Sequence, residues 1–316
     1  MTATFIEPRI LQISLLNFSS LQENRDMDIK KKREIVFLHN GLGNQMFQYA
    51  YAHKERLAGH KVYYCYGLSE KRGNHNGYEL NYVFKGIVAN RGAVAVFILR
   101  VLCYLIYNYK ISIIKKMLNA LSWDLIWKDT DFTNSTCRNF LVVGFWQSSE
   151  YVCDRSIFIF QEEKLSEKTK ALQQSIEAGN SISLHVRRGD YLSPNHKNLF
   201  GGICTIKYYE KAIQYMCAHV QEPIFYVFSD DIPWVRDNLA IHNAVYVSHN
   251  QGMDSWQDMY LISKCKHHII ANSTFSWWGA YLCANEDKIV VCPPKLTNRG
   301  DSPDLFPDEW VKIEGS

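Results

Sequence analysis

Apolar positions along this chain recur with two periods, and segments of the two kinds alternate. EIVFLH (34–39) and KVYYCY (61–66) are short apolar runs rich in β-branched and aromatic residues, the pattern of buried strands. Between them GLGN makes a turn. NQMFQYAYAHKERLA then carries Met46, Phe47, Ala50 and Leu57 at helical spacing, and Gly59 is placed to end that helix. Residues 67–139 are less regular and hold apolar helical runs ahead of another strand, FLVVGFW (140–146). Residues 161–179 are polar and helical and bridge two units. Beyond them strands are expected at 181–186, 224–229, 244–247, 267–271 and 288–292. Helices at 206–220, 255–264 and 276–284, and a short one after residue 231, separate them. The first of these helices places Ile206, Tyr209, Ile213, Met216 and Val220 on one face. Strands and helices alternating at this spacing predict parallel, doubly wound sheets. The expected class is therefore α/β: two Rossmann-like domains, 34–165 and 180–300, whose parallel sheets face a central cleft. Residues 1–33 are expected to be a poorly ordered extension, and 301–316 a separate C-terminal segment.

Composition narrows the picture. With 316 residues, 47% apolar and 21% charged, the chain suits one large or two ordinary packed domains. Aromatics reach 14%, which suits stacking on flat rings or sugar faces, although large cores use aromatics too. A net charge of +3, with no long basic run beyond residues 30–33, argues against a nucleic-acid partner. The nine cysteines are scattered, with no CxxC pair, and read as reduced thiols of a cytoplasmic protein. Cys265, His267 and His268 lie close together, but CKHHIIAN reads as the start of a strand, and a second ligand pair for zinc is missing. Residues 1–26 have neither the basic start nor the cleavage site of a secretory signal, and Met27 precedes the first convincing strand. The apolar run 93–109 is short for a membrane span and is interrupted by Arg100. It reads as one or two buried helices, or, with Lys110, Lys115 and Lys116, as a basic amphipathic surface touching a membrane.

Four polar clusters fall at the carboxyl ends of expected strands, where open parallel sheets bind ligands. They are HNGLGNQ (39–45), HVRRGDY (185–191), FSDD (228–231) and ANSTFS (271–276). Charged groups at the end of an apolar strand are costly unless paired or bound. Arg187 and Arg188 offer planar forks suited to phosphate. Strand alternation would put them on opposite faces, so that Arg187, sharing parity with His185, reaches a ligand while Arg188 pairs with a carboxylate. Asn272, Ser273, Thr274 and Ser276 precede a helix whose free N–H groups suit an anion, the plainer reading being capping by Ser276. Asp230 and Asp231 can accept hydrogen bonds from a guanine edge or hold a ribose hydroxyl. Gly41 and Gly43 bring backbone close to something bulky and present Asn44 and Gln45, but this is neither a P-loop nor the dinucleotide fingerprint. An RGD tripeptide at 188–190, a DxD at Asp129 and Asp131, and sequons at Asn17, Asn134 and Asn272 are set aside as coincidental.

As a set, GLGNQMFQYA (41–50), HVRRGDY (185–191), FSDD (228–231) and NSTFSWWGAYL (272–282) resemble the bacterial α-1,2-fucosyltransferases of glycosyltransferase family 11, over about residues 34–295. A shorter form of the arginine motif is shared with α-1,6- and protein O-fucosyltransferases. The resemblance implies a GT-B fold with 34–165 on the acceptor side and 180–300 binding the donor. It implies GDP-L-fucose as co-substrate, no metal or other cofactor, and inversion at the anomeric carbon. The implied acceptor is a galactose-terminated glycan such as an O-antigen repeat, whose next sugar would be set by 67–139. Carried over by position, Arg187 contacts the β-phosphate, while His185 and Asp230, with Asp231 as second choice, contact the guanosine. Asn272, Ser273, Thr274 and Ser276 match phosphate-binding positions, and Asn44 lies near the fucosyl group in the loop of Gly41, Gly43 and Gln45. Asp190 is available as a base, or it orients an arginine. The family usually has two glycines before Leu42; here Asn40 replaces the first, so the loop must take a conformation asparagine tolerates, such as the left-handed one. No protein partner is implied, and the expected location is cytoplasmic, with the inner membrane surface as a peripheral contact. The rival readings are a transferase using a UDP- or CMP-linked sugar, and a carbohydrate-binding protein without turnover. The second leaves the arginine and serine clusters unexplained.

Overall fold

The computed structural model describes residues 31–66, 76–87, 101, 111–152, 154–194, 196–300 and 304–315. Residues 1–30 of the expected N-terminal extension and, apart from Val101, the apolar run 93–109 with its membrane reading lie outside the described residues, and Arg33, expected in that extension, opens the first strand. Among the described residues no helix is long and apolar enough to cross a membrane.

The strands assemble into two sheets, parallel throughout. The first has four strands in the order β2-β1-β4-β3: β1 (Arg33–Leu38), β2 (Lys61–Tyr66), β3 (Trp123–Ile126) and β4 (Asn139–Val142). The second has six in the order β10-β9-β8-β5-β6-β7: β5 (Ser181–Val186), β6 (Ile224–Ser229), β7 (Ala244–Val247), β8 (His267–Ile269), β9 (Val290–Cys292) and β10 (Val311–Lys312). The main helices are α1 (Leu42–Leu57), α2 (Ile111–Ala120), α3 (Glu167–Ala178), α4 (Ile206–His219), α5 (Ile232–Asn238), α6 (Trp256–Lys264) and α7 (Thr274–Leu282). The expected α/β alternation is present, and the strand order reverses between β1 and β4 and between β5 and β8. Those two reversals are where a doubly wound sheet opens a crevice at its carboxyl edge.

Three expectations change. The strand expected over 140–146 stops at Val142, because Gly144 and a left-handed Trp146 (φ 57°) turn the chain away. The glycine loop is shorter than expected: Gly41 is the N-cap of α1, so Gly43, Asn44 and Gln45 form its first turn. The C-terminal segment is not separate. Its Val311 and Lys312 pair in parallel with β9, and Leu305, Phe306 and Trp310 are buried.

One apolar core runs from the first sheet to the second. Met46, Phe47, Ala50 and Tyr51 of α1 share it with Trp256, Met259 and Tyr260 of α6 and Trp277 and Trp278 of α7. Phe47 sits between the two tryptophans of α7, with ring centroids 4.8 and 4.9 Å away. The outer face of the second sheet packs on Tyr208, Tyr209, Ala212 and Met216 of α4, and that of the first on Ile114 and Leu118 of α2.

Candidate active site

The arginine cluster follows β5, whose six residues are all buried. The strand ends at Val186, so Arg187 and Arg188 lie in the loop beyond it and strand parity does not sort them. Both are ion-paired. Arg187 donates from Nε (3.0 Å) and Nη2 (2.8 Å) to Oδ1 of Asp190, and its Nη1 lies 3.2 Å from Oδ2 of Asp230. Arg188 reaches Asp231 at 3.3 Å and lies over the Trp234 ring at 3.6 Å. A guanidinium has five N–H donors, and Arg187 uses three of them here, so it can still grip an anion with two.

The aspartates after β6 hold this loop in shape. Asp230 accepts the backbone N–H of Arg188 (2.9 Å) and of Gly189 (3.1 Å), one on each oxygen. Asp231 caps α5 by accepting the Trp234 N–H at 3.2 Å. Both carboxylates thus shape the arginine loop, and each keeps lone pairs for a further donor.

His185 is the last residue but one of β5 and is 6% exposed. Burial, and after it the Arg187 charge, push its pKa down to about 4, so the ring is neutral at pH 7. Its Nδ1 is buried and has no hydrogen-bond partner among the described residues. Orphaned buried polar atoms are rare and destabilising, and one beside an arginine loop fits a group that a ligand completes.

The serine cluster follows β8 and opens α7. Ser273, not Ser276, is the N-cap, its hydroxyl accepting the Phe275 N–H. Ser276 is fully buried and donates to the Ser273 carbonyl. Asn272 is also buried, and its amide donates to the carbonyls of Phe200 and Leu296, both at 3.1 Å. The hydroxyl of Tyr191 donates to the Asn272 carbonyl at 2.9 Å, tying the arginine loop to the serine loop. Thr274 and the N–H groups of the first turn of α7 are thus what this cluster offers an anion. The side chains of Asn272 and Ser276 are engaged within the loop itself.

The glycine loop reaches the same place from the first sheet. Asn40 takes the left-handed conformation its replacement of glycine required, at φ 63°. A Cβ on Gly43 would lie 2.7 Å from the backbone carbon of Thr274, so glycine is what lets α1 abut α7 end to end. The Gly43 carbonyl accepts the Trp278 indole N–H at 3.0 Å. Gln45 is fully buried; its amide donates to Asn40 (2.6 Å) and Gly77 (2.7 Å), and its carbonyl accepts the Glu79 N–H. Its side chain fixes the loop. Asn44 does face across. Its Oδ1 accepts from Gln147 Nε2 at 2.7 Å and from Thr274 Oγ1 at 3.4 Å, which turns its Nδ2 donors away from both.

Gln147 was missed by reading clusters. It belongs to the loop after β4, which the carboxyl-end rule points to, but a lone glutamine among aromatics makes no polar cluster. His39, just after β1, donates from Nε2 to the Val143 carbonyl at 3.0 Å, and burial holds its pKa below the usual histidine value. Four loops, after β1, β4, β5 and β8, therefore meet at the junction of the two sheets, with the loop after β6 bracing them.

Cys265, His267 and His268 do not converge: His268 faces Ser183 (2.9 Å), and His267 accepts the Ile289 N–H. Among the described residues, Glu34, Glu55 and His60 bring potential metal-ligating atoms within 4.8 Å of one another. They lie at the amino end of β1, the opposite end from the cleft.

Known proteins resemble this chain in sequence and in fold. The family model described as glycosyl transferase family 11 matches residues 34–314. An alpha-1,2-colitosyltransferase of Escherichia coli is 31% identical over 305 residues, 89% of this chain and 98% of that protein. The O-antigen biosynthesis glycosyltransferase WbnK of Escherichia coli is 45% identical over 138 residues, a match spanning 43% of this chain and 46% of that relative. In structure, the chain is similar to the fucosyltransferase NodZ from Bradyrhizobium, with a TM-score of 0.53 at 14% identity, covering 80% of this chain and 93% of that one. The fold is accordingly GT-B-like, as expected. A family match along almost all the described chain, with a relative that aligns nearly end to end, makes this protein a glycosyltransferase and a member of family 11.

Proposed function

We propose that this glycosyltransferase moves L-fucose from GDP-L-fucose to the 2-hydroxyl of a terminal galactose, forming an α-1,2 linkage without a metal. The observation that carries the reading is the meeting of Arg187, His185 Nδ1 and the Thr274 helix start with Asn44 at the junction of two sheets. In this reading the acceptor oxygen forms a bond to the fucosyl anomeric carbon while the bond to the β-phosphate oxygen breaks. GDP leaves with the electron pair, and the hydroxyl proton is released. The growing phosphate charge meets the two unused N–H donors of Arg187 and the N–H groups opening α7, in place of a metal. Asp190 holds the Arg187 fork, and so acts as a positioning group. Asn44, oriented by Gln147, offers its Nδ2 donors to the sugar.

Full-length similarity to a colitosyltransferase supports a second donor reading, GDP-colitose. Colitose is the 3-deoxy form of L-fucose, so the two donors share every nucleotide contact above. Incubation with each donor and a β-galactoside, followed by NMR of the product, separates them. A fucosyl group on O2 with EDTA present supports the proposal. Transfer only from the colitose donor replaces the sugar, and transfer from a UDP- or CMP-sugar overturns the donor assignment.

A further inference from the structure

We infer that Phe145 is the stacking platform for the apolar face of the acceptor's terminal galactose, an inference that rests on the transferase reading above. The residue lies in the loop after β4, the strand across the reversal from β1, where the first sheet should hold its ligand. The donor-facing groups all come from the second sheet and from Asn44. The loop after β4 has the place for an acceptor and no motif assigned to it.

The loop is built to turn this ring outward. Gly144 approaches the neighbouring strand so closely that a Cβ on it would lie 2.2 Å from the Trp127 carbonyl oxygen. Trp146 is held at φ 57°, a conformation that strains a bulky side chain. It is kept there by stacking on Tyr51 (centroids 4.0 Å, planes 16° apart) and by an edge contact with Tyr151 at 5.5 Å. Trp146 is thereby buried, and Phe145 is left 42% exposed. Strain that surroundings enforce at a ligand-bearing edge marks a site, not an accident of packing.

The exposed ring stands beside the active groups. It packs on His39 with centroids 5.1 Å apart, and Gln147, two residues on, holds Asn44. Trp127, also 42% exposed, stands at the end of the adjacent strand. Galactose suits such a place. Its axial 4-hydroxyl leaves the hydrogens of C3, C4 and C5 as one apolar patch, which an aromatic face covers, while its other hydroxyls stay free for polar groups such as His39 and Asn44.

The test is to measure GDP binding by calorimetry, binding of methyl β-D-galactoside in the presence of GDP by saturation-transfer NMR, and acceptor kinetics, for wild type, Phe145→Ala, Phe145→Leu and Phe145→Tyr. The expected result is strong transfer to H3, H4 and H5 in wild type, lost in Phe145→Ala and Phe145→Leu and restored in Phe145→Tyr. Acceptor KM should rise at least tenfold in the first two variants, with GDP affinity unchanged. Phe145→Leu keeps apolar bulk, so a folding defect in Phe145→Ala leaves the test intact. Absence of galactoside binding by wild type, or an acceptor KM within twofold of wild type in Phe145→Leu, overturns the inference. Failure of wild type to bind GDP instead strikes the donor reading, and the galactoside titration repeated without nucleotide keeps the two failures apart.

Discussion

Arg187 is already gripped by two carboxylates before any ligand arrives, and this defines what each residue around it can do. Its guanidinium is fixed in direction by Asp190 and Asp230, so binding an anion requires little reorganisation. Replacing Arg187 by Ala should lower kcat by about 10²–10³-fold with the circular dichroism spectrum retained. Turnover near wild type in that variant would refute the role. Asp190→Asn keeps the shape but weakens the pair, so its loss should be smaller than that of Arg187→Ala; a larger loss would make Asp190 the base instead. At this scale sequence reading was partly successful. It identified the polar residues but not which way their side chains point. Asn40 was legible because a replaced glycine leaves few backbone choices. The bonds made by Gln45, Asn272 and Ser276 were not, because they depend on carbonyls elsewhere in the fold, such as Leu296 for Asn272. The capping role of Asp231 was not legible, because capping and ligand binding draw on the same residue type at the same place.

Helix ends and strand ends carry the site as elements. The contact of α1 with α7 is end to end, and Gly43 is its pivot. Gly43→Ala should destabilise the protein by about 1–3 kcal/mol, since the Thr274 backbone has to move, and should lower activity by displacing Asn44. Thermal unfolding and kcat measured together check this; a variant with both unchanged would show the contact to be loose. The opposite end of β1 makes a different prediction. Glu34 is buried under α1, bonded to the Tyr51 hydroxyl at 2.8 Å, and its pKa is pushed up to about 7, chiefly by burial and then by the charge of Glu55. The folded protein therefore holds a proton that the unfolded chain releases above about pH 4.5, and stability drains away as pH rises towards 7. Glu34→Gln cannot ionise, so its stability relative to wild type should improve by up to about 3 kcal/mol between pH 5 and pH 8. Urea unfolding at the two pH values decides it, and an unchanged difference would contradict the assignment. Periodicity revealed the strands of both sheets because burial repeats along them. It missed the bend after Val142 because the apolar run FLVVGFW continues through the turn, and only the Gly144 contact and the Trp146 backbone reveal it.

Across the whole molecule the tryptophans of the serine motif are structural. Trp277 and Trp278 are fully buried, and with Phe47, Trp256 and Tyr260 they make one core out of two sheets. Interfaces that are polar and small allow domains to move, whereas one that is apolar and continuous holds them together. The junction at α1 and α7 is accordingly apolar and continuous. The overall plan was legible in the sequence because parallel sheets need regular alternation, and ligand clusters gather at one edge. The welding of the two sheets was not, since a buried tryptophan reads alike whether it packs within a domain or between two. The central claim is that this junction holds a guanosine diphosphate through protein groups alone. The most direct measurement is calorimetric titration of GDP, UDP and CMP into wild type and Arg187→Ala, with EDTA throughout. Binding of GDP alone, lost in Arg187→Ala, is the predicted result. Preference for another nucleotide, or GDP binding that persists without Arg187, would contradict it.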